Sequence, residues 1–185
     1  MKKLIAVLED NEDRRAAMSD WLRERFGMYD HHFTDDPYEM IATIKTRRSD
    51  LLVVSLDHDL HERPDFSTEL TGMIVAEHLA KDSARRTSEV RSLVTMGIVP
   101  VSAPPTPNST PFPVILHTTN TRDGDTMERM LRRHGRHVER VIPFDGVTWV
   151  YKDWHRALKR AMQSNMATIS ADDEMATISA DDEPD

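Results

Sequence analysis

Short apolar runs separated by helical stretches constrain this chain more than any other feature. Leu4–Leu8 (LIAVL), Leu51–Leu56 (LLVVSL) and Val114–His117 are apolar nearly throughout, Val138–Ile142 reads as a further buried strand despite Glu139-Arg140, and Tyr29–Phe33 is a weaker run. Between them, apolar residues recur at helical spacing. Ala17, Met18, Trp21, Leu22 and Phe26 mark a helix over Asn11–Phe26, and Ile74, Val75 and Leu79 mark another over Thr71–Lys81. Met127, Met130 and Leu131 mark one over Gly124–His134. Trp154, Ala157, Leu158, Ala161 and Met162 mark the last, over Tyr151–Met162. Asp36-Pro37-Tyr38-Glu39 reads as a helix start, with an N-cap acid and proline at the first helical position. Strands without polar alternation are buried on both faces, which requires a parallel sheet covered by helices on each side. The expected fold is α/β: an open, doubly wound, parallel five-stranded sheet of flavodoxin-like type. Such a sheet places its ligand site beyond the C-terminal ends of its strands.

Two segments fall outside this rhythm. Residues 83–112 read as an insertion between a helix and the next strand, because six of the ten prolines lie between Pro100 and Pro113. At the C-terminus, MATISADDE occurs at Met166–Glu174 and again at Met175–Glu183. The expected domain is therefore 1–164, followed by a duplicated, disordered acidic tail at 165–185. That tail accounts for most of the charge. The chain carries 24 Lys+Arg and 32 Asp+Glu, a net of −8, and seven of the acids lie in 165–185 with no base. Residues 1–164 thus hold 25 acids and 24 bases, a net of −1. A near-neutral body gives no reason to expect DNA binding.

The absence of cysteine removes disulfides, thiolate nucleophiles and Cys-ligated metals. The apolar run after Lys2-Lys3 ends at Glu9, too soon for a signal peptide, and no stretch reaches the roughly 20 apolar residues of a membrane span. A cytoplasmic protein without membrane contact is expected.

The polar residues at the strand ends carry the chemistry. The first strand ends in Glu9-Asp10, the third in Asp57-His58-Asp59, and the fourth in His117-Thr118-Thr119-Asn120. Glu9, Asp10 and Asp57 offer oxygens to a hard divalent cation such as Mg²⁺. Over residues 1–164, apart from the insertion, the chain resembles response-regulator receiver domains. That resemblance implies strand order 2-1-3-4-5, puts Glu9 and Asp10 at the acidic pair, Asp57 at the phospho-acceptor and Thr118 at the Ser/Thr switch position. Receivers carry a Lys before the Pro that follows the last strand; here the residues are Ile142-Pro143-Phe144. An aliphatic side chain cannot neutralise a phosphoryl oxygen, and Lys152 lies ten residues on.

His58 follows Asp57 directly, and His117 directly precedes Thr118. With the third and fourth strands adjacent, both imidazoles are expected at one cleft, where they could divide general base and general acid. The SLDHDL segment, the T-G-x-x-V-A-x-x-L stretch at Thr71–Leu79 and the His-Thr-x-Asn end resemble a narrower family, the cyclic-phosphate-processing receiver-like domains. This resemblance implies hydrolysis of a cyclic phosphate on a nucleotide or RNA end. His58 and His117 would be catalytic with Asp57, and Thr118, Asn120 and Arg122 would bind the phosphoryl oxygens. The alternative is a non-enzymatic, atypical receiver that binds a protein partner, with or without phosphorylation of Asp57.

Other polar residues receive structural readings. His31 and His32 are consecutive strand residues and point to opposite sides. His61-Glu62-Arg63 lies in a loop near the site. His78 follows Ile74 by four and reads as a packed helix histidine. Arg129, Arg132, Arg133, Arg136 and Arg140, with His134 and His137, form a local basic cluster around a helix C-terminus.

Overall fold

The structure is a computed structural model that describes residues 2–60, 70–96, 112–144 and 146–165. Strand β1 (Leu4–Leu8) leads through helix α1 (Glu12–Phe26) to β2 (Asp30–Thr34), and α2 (Pro37–Thr46) leads to β3 (Leu51–Leu56). Helix α3 (Gly72–Thr95) precedes β4 (Val114–His117), and α4 (Thr121–Arg133) precedes β5 (Val138–Val141). A last helix, α5, spans 148–165. The five strands form one parallel sheet in the order β2-β1-β3-β4-β5. The expected fold class is the observed one.

Side-chain alternation explains why both faces are covered. Leu4, Ala6, Leu8, Val54, Leu56, Val114 and Leu116 pack under α2, α3 and α4 with Met40, Val75, Leu79 and Met127. Ile5, Val7, Val53, Ile115 and Val141 pack on the opposite face with Met18 and Leu22 of α1 and Trp154 and Leu158 of α5. Helix α5 contains a π turn at Val150–Trp154, closed by the N–H of His155 on the carbonyl of Val150. The wider turn brings residues five apart toward one face, and both Trp149 and Trp154 are fully buried.

The local start signals act as the sequence suggests. Asp36 caps α2 by accepting from the N–H groups of Tyr38 and Glu39, with Pro37 as the first helical residue. His31 and His32 diverge as expected: His31 Nε2 lies 3.2 Å from the Phe26 carbonyl, and His32 Nε2 lies 3.2 Å from Thr43 Oγ1.

Two boundaries move. Helix α3 runs on to Thr95, so residues 83–95 are helical rather than part of a proline-rich insertion. The stretch contains neither Gly nor Pro, and Arg86–Asp82 and Arg85–Glu89 pair at i,i+4 spacing along it. Residues 97–111 and His61-Glu62-Arg63 lie outside the described residues. Asn165, assigned to the tail by its sequence, belongs to the folded body: it is buried, and its Nδ2 donates to the Leu52 carbonyl at 2.9 Å. The repeats at 166–185 lie outside the described residues.

Candidate functional site at the strand ends

Strand register sorts the candidate residues before any side chain is considered. Leu56 pairs with Leu116, which brings Asp57 level with His117 and His58 level with Thr118. Alternation then sends Asp57 and His117 toward the α1/α5 face and His58 and Thr118 toward the α3/α4 face. The two histidines expected at one cleft therefore engage separate sets of partners.

The first set is buried. Glu9, Asp57 and His117 are 0, 2 and 0 % exposed, and one ligating atom of each lies within 4.8 Å of the others. His117 Nε2 is 3.3 Å from Glu9 Oε2, and its Nδ1 is 3.0 Å from Ser55 Oγ. Ser55 Oγ also accepts the indole N–H of Trp154 at 2.9 Å, while Trp149 stacks on the imidazole with ring centroids 5.7 Å apart. An indole N–H only donates, so Ser55 keeps its own proton and one lone pair for His117. It can therefore donate to Nδ1 when Nε2–H faces Glu9, or accept from Nδ1–H when Nε2 is turned to a metal.

Arg14 supplies the cation of this pocket. Asn11 caps α1 by accepting from the Arg14 N–H, and Glu9 Oε1 accepts from the Asn11 N–H, both at 3.0 Å. This turn places Arg14 Nη2 3.1 Å from Glu9 Oε1, 3.3 Å from Asp57 Oδ2 and 3.8 Å from Asp10 Oδ1. Burial pushes Asp57 up to about 6, with Glu9 and Asp10 acting in the same direction and His117 and Arg14 opposing it. For Glu9, burial also acts upward, but the hydrogen bond and charge of His117, together with Arg14, hold the carboxyl below its usual range.

The donor set suits a divalent cation only in part. Glu9 Oε2, Asp57 Oδ2 and His117 Nε2 are buried and converge, with Nε2 facing Oε2 and Arg14 facing Oδ2. Two carboxylates fit Mg²⁺, while an imidazole fits it less well than it fits a transition metal. The Arg14 guanidinium competes with either.

The second set lies on the other face. His58 Nδ1 is 2.6 Å from Asp59 Oδ1, and Thr118 Oγ1 donates to Asp59 Oδ2 at 3.1 Å. Burial raises the Asp59 carboxyl, but its bonds to His58, Thr118 and Asn120 hold it low. Asn120 caps α4 by accepting from the Asp123 N–H, and donates to Asp123 Oδ2 at 2.8 Å. His58 Nε2 lies 3.7 Å from that same carboxylate oxygen. Thr118 and Asn120 are thus joined to His58 through Asp59 and Asp123. Arg122 is exposed on the first turn of α4 and makes no side-chain hydrogen bond or ion pair among the described residues.

Gly72 packs against the backbone from which both sets project. A Cβ there would lie 1.9 Å from the Asp57 carbonyl oxygen, so α3 starts against the backbone of the β3 end. The Gly72 N–H donates to the His58 carbonyl at 3.0 Å. Ile142 is 58 % exposed beyond β5 and Lys152 is also exposed, and among the described residues no lysine pairs with Glu9, Asp10 or Asp57.

Sequence reasoning missed Arg14, Ser55, Trp154 and Asp123. Ser55 carried a usable signal, since it lies two residues before Asp57 and therefore on the same face. Arg14 carried a weaker one, four residues after Asp10 on the first turn of a helix.

No protein-family model and no curated protein matches the chain. Solved structures with similar folds include receiver domains. The response regulator domain of Thermotoga maritima CheB superposes with a TM-score of 0.55 at 15 % identity, covering 89 % of this chain and 97 % of that one. The signal receiver domain of a LuxO repressor protein from Vibrio parahaemolyticus gives 0.48 at 14 % identity, covering 90 % and 98 %. The fold is receiver-like. Among the described residues, no helix is long and apolar enough to cross a membrane.

Proposed function

We propose that this domain is an atypical receiver acting as a signalling module, read by a protein partner and held in one state by its own side chains. The observation that carries the reading is the Arg14–Asp57 pair. The buried carboxylate at the phospho-acceptor position already holds a guanidinium at 3.3 Å, and Ile142 rather than a lysine stands before Pro143 after β5. A phosphoryl group on Asp57 would have to displace that pair without the cation that usually receives it. Mg²⁺ would use the oxygens of Glu9, Asp10 and Asp57 in competition with Arg14 and would supply charge neutralisation there. Exposed Ile142, Phe144 and Tyr151 follow β5 and offer apolar surface to a partner, beside a cavity of about 290 Å³ lined in part by Arg14, Phe144 and Trp149. A cytoplasmic location belongs to this reading.

Acetyl phosphate with Mg²⁺, followed by intact mass, tests it. The expected spectrum is unmodified protein. A stoichiometric phosphoryl adduct that disappears in Asp57→Asn would replace this reading with ordinary phosphorylation.

The His58–Asp59 contact favours a second reading, hydrolysis of a cyclic phosphate on a nucleotide or RNA end. A carboxylate fixes Nδ1 of His58 and leaves Nε2 as the reactive nitrogen, the arrangement of an oriented general base. Thr118, Asn120 and Arg122 would then bind phosphoryl oxygens, and His117 with Asp57 would act from the other face. Incubation with 2′,3′- and 3′,5′-cyclic nucleotides decides between the readings. Turnover abolished in His58→Ala supports hydrolysis, and no turnover supports the signalling module.

A further inference from the structure

The two carboxylate oxygens of Glu9 have different neighbours. Oε1 accepts from the Asn11 N–H at 3.0 Å and faces Arg14 at 3.1 Å. Oε2 turns the other way, to His117 Nε2 at 3.3 Å. Beyond that mutual contact neither Oε2 nor Nε2 has a hydrogen-bond partner among the described residues, and both side chains are fully buried. Asp57 is divided in a similar manner. Its Oδ1 accepts from the Asp59 N–H at 3.3 Å, and its Oδ2 faces Arg14 at 3.3 Å. Each of the three residues brings one ligating atom within 4.8 Å of the other two.

Distance and donor type together point to one class of metal. Zn²⁺ takes imidazole nitrogen and carboxylate oxygen at about 2.0–2.2 Å in tetrahedral geometry, which sets two ligand atoms about 3.3–3.6 Å apart. The 3.3 Å between Nε2 and Oε2 already matches that separation. The rest of the imidazole is held as a metal ligand needs. Its Nδ1 lies 3.0 Å from Ser55 Oγ, which is fixed in turn by the Trp154 indole N–H at 2.9 Å. An acceptor at the second ring nitrogen sets the tautomer and the ring orientation of a metal-bound histidine. Buried Trp149 stacks on the same ring. Mg²⁺, by contrast, demands octahedral geometry, keeps several waters and prefers oxygen throughout. A buried pocket with one nitrogen among its three donors suits it poorly.

We propose that Glu9, Asp57 and His117 bind a borderline first-row divalent cation of the Zn²⁺ type, in preference to Mg²⁺. The two acids alone would select a hard ion, and the histidine at the end of β4 changes the class of metal. Three protein ligands leave a fourth position for water. Arg14 keeps Glu9 Oε1 and yields at Asp57, where guanidinium and metal meet the same carboxylate. The site involves no substrate, so it stands whether the domain signals or hydrolyses.

Titration of the full chain with Co²⁺, Zn²⁺ and Mg²⁺ at constant ionic strength tests the proposal, with the visible absorption of bound Co²⁺ as one readout. Expected is one-to-one saturation by Co²⁺, its displacement by Zn²⁺, and affinity for both roughly a hundredfold or more above that for Mg²⁺. A hyperfine-shifted imidazole N–H resonance in the proton spectrum of the Co²⁺ form reports nitrogen ligation in the wild type itself. His117→Gln abolishes that resonance and weakens Co²⁺ binding about tenfold or more, while Mg²⁺ binding stays within about threefold. His137→Ala, at an exposed position, leaves Co²⁺ binding unchanged. Circular dichroism separates loss of binding from loss of fold, and Asp57→Asn, which keeps the side-chain volume, weakens Co²⁺ binding as a second variant. Mg²⁺ affinity equal to that of Co²⁺, a Co²⁺ form without the shifted N–H, or Co²⁺ binding that survives either substitution in a folded protein overturns the proposal.

Discussion

Nη2 of Arg14 and Oδ2 of Asp57 meet at 3.3 Å, and this contact places an internal cation where a receiver pocket would admit a metal ion. The guanidinium sits against Glu9 as well, at 3.1 Å. Metal and arginine thus compete for the same oxygens. Arg14→Gln is expected to strengthen Mn²⁺ binding by roughly tenfold or more, since removing one unit charge at this distance changes the local energy by about 1–3 kcal/mol. Electron paramagnetic resonance of free Mn²⁺ measures this directly. Equal affinities in the two proteins would show that Arg14 does not guard the pocket.

Asp57 makes stability depend on pH. Its folded-state value is raised from 3.8 to about 6 by burial first. An acid with a raised value favours folding fully below its unfolded value, and that contribution is lost as pH rises through the folded value. Between about pH 4 and 6 the wild type should therefore lose stability relative to Asp57→Asn. At pH 7.5 the variant should be more stable by on the order of 1–3 kcal/mol. Urea denaturation at pH 4 and pH 7.5 checks the sign. A variant less stable at pH 7.5 would mean that the ion pair with Arg14 outweighs desolvation.

The Ser55 hydroxyl joins Trp154 to His117, and all three are buried. Ser55→Ala leaves the indole N–H and an imidazole nitrogen without partners, at an expected cost of about 1–3 kcal/mol. Trp154→Phe in the Ser55→Ala background removes one orphaned donor, so the two losses should be less than additive. Additive losses would show that the hydroxyl does not couple the pair.

Gly72→Ala drives a methyl group into the Asp57 carbonyl, whose backbone cannot yield without moving the β3 end. A destabilisation of about 1–3 kcal/mol is expected. Chemical-shift changes should centre on Asp57, His58 and Asp59. A variant with wild-type stability and spectra would remove Gly72 from the positioning of the site.

The three central strands and the parallel arrangement are legible because burial on both faces writes apolar runs into the sequence, while the edge strands β2 (DHHFT) and β5 (VERV) are only half-buried and carry weaker signals. Asp36-Pro37 marked α2 for the same reason that it caps it. The acids at the strand ends were legible because topology alone brings β1 and β3 together. What the sequence concealed was orientation. Placing His58 and His117 at one cleft ignored a register in which Asp57, not His58, lies level with His117. Arg14 was hidden because its reach depends on the Asn11 cap and a side-chain conformation, neither of which has a periodic signature. The proline content of 100–113 outweighs, in the sequence pattern, the Gly- and Pro-free stretch before it, into which α3 extends as far as Thr95.

The hydrogen bond from Asn165 to the Leu52 carbonyl fixes where the chain leaves the domain. Leu52 lies at the start of β3, so the exit point is at the pole away from Asp57, the same pole that gathers Arg48 and Arg136. The 20 residues that follow in sequence carry seven acids and no base, so their negative charge is tied covalently to the pole that holds Arg48 and Arg136 rather than to the one that holds Asp57.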